Sequence, residues 1–262
     1  MQSNNPVFAR SETLARSTQR GVGFHAPAPS ADDVAALYNT PQRMTIDDVI
    51  VKTGLLLGTM VVTGAGAWVL NLGGGVVALA GIVGFALALV NIFKKQVSPP
   101  LVLAYAAVQG VFVCALSNAY AGAFGGGIVV QAVLGTTAVF AAVLVGYRSG
   151  KLRATPRFTK IVTFGLIGMV ALVVLNLVAG LFGDGDALGI RGENLPLSLL
   201  VSAGLIVFGA LTFVLDFDQA DRMVAAGVPE QESWRVGFGL VVGLVFLYLE
   251  ILRMLSYLQG RE

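Results

Sequence analysis

The chain has 262 residues, of which 56% are hydrophobic and 12% charged, and its formal net charge is +2. Soluble domains carry about 25% charged residues, so with a mean hydropathy of +0.80 this chain lacks the polar surface that a water-soluble globule needs. One histidine, His25, and one cysteine, Cys114, exclude an intrachain disulfide, a His/Cys metal cluster and a histidine-assisted nucleophile.

Residues 1–44 hold Arg10, Arg16, Arg20, Arg43 and several prolines, with no apolar stretch of signal-peptide type. They read as a disordered cytoplasmic tail preceding a membrane domain over 45–262. Asp47 and Asp48 suit a helix N-terminus, where the macrodipole favours negative charge.

Seven apolar runs follow, at 53–72, 73–93, 101–124, 127–147, 161–182, 195–215 and 236–258. Each approaches the roughly 20 residues that cross a hydrocarbon core. The runs lack barrel alternation, and an open sheet cannot satisfy its backbone in lipid. The fold class is therefore all-α, a seven-helix transmembrane bundle. The 71–75 turn separates the first two runs as a tight hairpin, and Gly125–Gly127 separates the third from the fourth.

Lys and Arg set the topology. Lys52 joins the tail residues; Lys94 and Lys95 fall in the second connection. Arg148, Lys151, Arg153, Arg157 and Lys160 fall in the fourth, and Arg222 and Arg235 in the sixth. The first and third connections have no basic residue, and the fifth has only Arg191. Seven crossings with a cytoplasmic N-terminus satisfy this alternation, while Arg253 and Arg261 leave a re-entrant last segment open. Gly54 and Gly58, and Gly239 and Gly243, stand four apart, the spacing at which small residues let helix backbones approach.

Charges inside the spans are confined to the last two. An acid at a helix centre costs about 2.5–3.5 kcal/mol on insertion scales. Glu250 follows fourteen uncharged residues of the seventh run, and Arg253 lies one turn further along, where it can pair with Glu250. Asp216 ends the sixth apolar run, followed by Asp218 and Asp221, which suit a solvated helix end. If the hairpin turns midway between Asp216 and Glu250, at residue 233, the two acids come level. Two buried carboxylates cannot both ionise cheaply, so such a pair shares a proton. Deprotonated, it offers hard oxygen ligands for Ca²⁺.

Three segments resemble the Bax inhibitor/YccA-like family, also called the transmembrane Bax inhibitor motif family. LYLEILRML (247–255) is similar to the family's last-helix segment, with Glu250 where an Asp is usual. LDFDQ (215–219) is similar to its acidic motif at the end of helix six, placing Asp216 on the first acid. PPLVLAYAAVQGVF (99–112) is similar to its third helix. The resemblance implies a central helix seven and a pH-sensitive Ca²⁺ leak controlled by Asp216 and Glu250, with Asp218, Asp221 and Arg253 as accessory groups. The chain departs from the pattern in a longer connection between the acids and in the absence of a basic latch in helix two.

Two functions stand side by side: a proton-gated Ca²⁺ leak, and a non-conducting regulator that binds a membrane protease or another membrane protein. Neither is an enzyme, and neither needs a cofactor or nucleic acid. The expected setting is a bacterial plasma (inner) membrane, with lipid, Ca²⁺ and protons as the partners.

Overall fold

The computed structural model describes residues 42–70, 74–181 and 195–260. Seven helices among them are long and apolar enough to cross a membrane. They are α1 (Ile46–Val69), α2 (Gly74–Phe93), α3 (Pro99–Phe124), α4 (Gly127–Arg148), α5 (Pro156–Leu181), α6 (Leu195–Ala225) and α7 (Ser233–Gln259). The tail over 1–41, Arg191 and Arg261 lie outside the described residues.

The helix ends follow local chemistry. Thr45 caps α1: its hydroxyl accepts from the Asp48 amide while the Asp48 carboxylate accepts from the Thr45 amide, a reciprocal capping box. Pro99 and Pro100 open α3, where a missing N–H costs nothing. α4 stops at Arg148 before Gly150, whose φ is +72°.

α7 is the centre of the bundle, packed against α1, α3, α4 and α6. Half of its membrane span is buried, against 11% for α2 and 12% for α5. The helix-scale packing of α2 is against α3, and that of α5 is against α6. These two are outer helices, and four helices flank α7 among the described residues. It is also continuous over 27 residues, about 40 Å, long enough to cross without a break.

One end of the bundle collects the basic connections. Lys52 of α1 pairs with Glu230 at 2.5 Å, and its Nζ lies 5.8 Å from the Trp234 ring centroid. Arg235 donates to the Lys95 carbonyl at 2.7 Å, and Gln231 to the Val97 carbonyl. The Tyr147 hydroxyl donates to Asp221 at 2.6 Å. At the opposite end Gln259 donates to Gln131. The alternation of basic loops thus corresponds to two ends of one bundle.

Two sequence expectations change. Arg43 and Met44, assigned above to the tail, are fixed: Arg43 bridges to Pro229, the Met44 amide donates to the Val228 carbonyl at 2.8 Å, and Met44 is buried. Close helix approach does not use Gly54 and Gly58, since a Cβ on either would meet nothing within 4 Å. It occurs between α1 and α3, where a Cβ on Gly110 would run into the Met60 backbone and Thr63 hydroxyl, and one on Gly64 would reach the Gly110 carbonyl. Gly54 and Gly58 have the right spacing on a face without a close neighbour.

Candidate functional site

The α6–α7 hairpin carries both acids, and its register decides whether they meet. Phe213 of α6 seats on Gly243, where a Cβ would come within 2.8 Å of the ring, and Phe246 of α7 seats on Gly209 in the same way at 2.9 Å. These reciprocal contacts place Asp216 level with about residue 240. Glu250 lies about ten residues further along α7, roughly 15 Å at 1.5 Å per residue. The structure therefore does not bring Asp216 and Glu250 together, and one Ca²⁺, with ligand distances of about 2.3–2.6 Å, cannot be held by both.

The physical reason lies at the turn. α6 runs ten residues beyond the apolar stretch, to Ala225. The chain then reverses through Gly227, at φ +65°, and a 3-10 turn at Glu230–Glu232 leads into α7. The hairpin centre falls near residue 228 rather than 233, and the acids come out of step.

Asp216 occupies the basic half. With Asn91, Ile92, Gln219, Arg235, Val236, Phe238 and Gly239 it lines a cavity of about 360 Å³. Its carboxylate has no hydrogen-bond or ion-pair partner among the described residues. Arg235 is turned to Glu232, at 2.8 Å, and to the Lys95 carbonyl. Asn91 donates through Nδ2 to the Leu87 and Leu101 carbonyls at 2.9 and 3.3 Å, which leaves its Oδ1 as an acceptor.

Glu250 occupies the other half, only 5% exposed. Its Oε1 receives Arg253 Nη1 at 2.5 Å, an i,i+3 pair. Its Oε2 is buried without a hydrogen-bond partner. Nearby on α7, the Tyr248 hydroxyl shares a 2.6 Å hydrogen bond with Ser117 of α3. Between the levels of the two acids the hairpin is dry: Phe213, Val214, Val241 and Leu247 are all at 0% exposure. Phe140 of α4 meets Phe213 edge-on at 5.0 Å and Phe217 at 5.7 Å.

Asp218 and Asp221 belong to neither acid's surroundings. Asp218 pairs with exposed Arg222 at 2.7 Å along α6, and Asp221 accepts from Tyr147. They tie down the extended end of α6. No group of three or more metal-ligating side chains of the His/Cys/Asp/Glu type occurs among the described residues.

The cavity residues Asn91, Gln219 and Arg235 were not singled out as site residues from the sequence. Asn91 carries a signal in retrospect: it is the one amide in the uncharged run of α2. Arg235 read only as a topological charge, because its position beside Asp216 depends on the α6–α7 register.

A family model described as Bax inhibitor 1 like matches residues 5–260. An uncharacterized protein of Chlamydia muridarum (strain MoPn / Nigg) is 30% identical over 160 residues, covering 60% of this chain and 61% of that protein. The match thus spans less than two thirds of that relative's length.

Proposed function

The chain belongs to the Bax inhibitor 1 like family, and from that premise we propose that it is a pH-sensitive Ca²⁺ leak with two separate acid stations, Asp216 and Glu250. The observation that carries this reading is the unpartnered Asp216 carboxylate on the wall of the cavity at the basic end. A hard carboxylate with no internal counter-ion attracts a cation. Protonation removes that charge, so Ca²⁺ entry falls as pH drops through the titration of Asp216. Glu250, neutralised by Arg253, is the second station, and reaching it requires the aromatic layer around Phe213 to part. By the bias of basic loops, the cavity and the N-terminus face the cytoplasm of a bacterial plasma membrane.

Ca²⁺ flux in vesicles reconstituted with the full chain tests this. The wild type leaks Ca²⁺ in a pH-dependent way; Asp216→Asn lowers the leak and flattens the pH profile, and Glu250→Gln alters the rate. Flux indifferent to pH and to both substitutions rejects the leak.

A second reading draws on the dry layer between the acids. Continuous packing there suits a non-conducting regulator that binds a membrane protease or another membrane partner. No flux at any pH, with a stable membrane partner that is lost on removal of residues 1–42, the part of the tail ahead of the fixed Arg43 and Met44, selects it.

A further inference from the structure

The cavity beside Asp216 has an open wall. α2 supplies Asn91 and Ile92 to it, α6 supplies Asp216 and Gln219, and α7 supplies Arg235, Val236, Phe238 and Gly239, yet α2 does not pack along α6 or α7. Ile92 lines the cavity while remaining 56% exposed. A side chain that does both marks an opening on the outer surface of the bundle. The gap lies at the last turn of α2 and the first turn of α7, the depth of lipid headgroups at the basic end.

Its charges are arranged in two parts. Asp216 provides an unpaired carboxylate. Asn91 Nδ2 is committed to the Leu87 and Leu101 carbonyls and Gln219 Nε2 is turned to Met223 Sδ, so each amide keeps an oxygen to accept with. Beside these acceptors stand Lys94 and Arg235, the latter already ion-paired with Glu232. A smaller recess holding Lys94 and Gln96 shares Asn91, Arg235 and Phe238 with the cavity, and Lys94 has no ion pair among the described residues. The ligand that satisfies both parts has a donor-rich cation and an anion on one short link.

We infer that this recess binds the headgroup of a phosphoethanolamine lipid from the membrane, its primary ammonium at Asp216 and the amide oxygens of Asn91 and Gln219, its phosphate at Lys94, the lining cation whose charge no carboxylate meets. An ammonium brings three N–H donors to three acceptor groups. A trimethylammonium of the same charge brings none, so the site separates ethanolamine from choline lipids. The lipid source follows from the open wall at Ile92, which a tethered headgroup can enter sideways.

The test measures lipid retention rather than ion flux, so it can fail without the leak failing, although a bound ammonium and Ca²⁺ compete for Asp216. The full chain is reconstituted in vesicles of equal phosphatidylethanolamine and phosphatidylcholine, extracted in mild detergent, and its co-purifying lipids are quantified by mass spectrometry. Ethanolamine lipid is expected to exceed choline lipid roughly tenfold, the equivalent of about 1.4 kcal/mol. Asp216→Asn equalises the two, and Lys94→Gln lowers retention of both without changing their ratio. Circular dichroism verifies that each variant keeps its helices, and Ile92→Trp, which fills the mouth without touching a charge, lowers total retention. No ethanolamine preference in the wild type, or a preference untouched by Asp216→Asn, overturns the site. Displacement of the lipid by soluble phosphoethanolamine at equal concentration overturns the lateral lipid entry.

Discussion

Asp216 and Glu250 are carboxylates on neighbouring helices in the same bilayer, and the bundle treats them in opposite ways. Glu250 is enclosed in the half of α7 where α3 and α4 close around it, and its charge is met from its own helix by Arg253. Asp216 sits where α2 stands away from α6 and α7, and nothing in the described chain meets its charge. Two routes to tolerating an acid within a membrane helix are therefore visible in one hairpin: internal neutralisation, and access to something outside the fold. The first makes a structural element, and the second leaves a group available to ligands.

Breaking the enclosed pair has the largest expected effect on stability. Arg253→Met leaves Glu250 buried without its cation and should cost about 3–5 kcal/mol, measured by denaturant titration in detergent. Adding Glu250→Gln to that variant should restore most of the loss. A cost below about 1 kcal/mol for the single change would mean that Glu250 is hydrated and the contrast with Asp216 false. Next is Gly243→Ala, which drives a methyl group into the fully buried Phe213 ring that separates the two levels. Overpacking of this kind costs about 1–3 kcal/mol, whereas Gly58→Ala, at a position with nothing within 4 Å, should be neutral or slightly stabilising.

Ser117→Ala removes the hydroxyl paired with Tyr248 and should cost about 1 kcal/mol, read from the same titrations. Smallest is Asp216→Asn, within about 0.5 kcal/mol of wild type, because no internal partner is lost. A large destabilisation by Asp216→Asn would place that acid in the structural class with Glu250.

The seven helices were legible because each is a long apolar run, and lipid leaves a helix as the means of satisfying its backbone. The ion pair between Glu250 and Arg253 was legible too, since residues three apart on a helix share a face whatever surrounds them. The level of Asp216 was not. It depends on where α6 ends, and Asp218, Asp221 and Arg222 look like a solvated connection in the sequence while forming another three turns of helix in the fold. Hydropathy marks where lipid ends, not where a helix does. The glycine spacing misled for a related reason: Gly54 has a glycine four residues on and nothing against it, whereas Gly110 has no glycine four residues away and meets the Met60 backbone.

The central position of α7 has a consequence for synthesis. A chain emerges from its N-terminus, so α1, α3, α4 and α6 are in the membrane before the helix that joins them exists. The Lys52–Glu230 pair spans 178 residues of sequence, and the Arg43–Met44 bridge to Val228 and Pro229 closes a comparable loop. Neither can form until the sixth helix has been threaded and the connection behind it made. The earliest membrane helix is thus locked by the connection that leads into the latest, and a ribosome that stalls before residue 233 leaves a set of helices without a keystone, in the form that membrane quality control would meet.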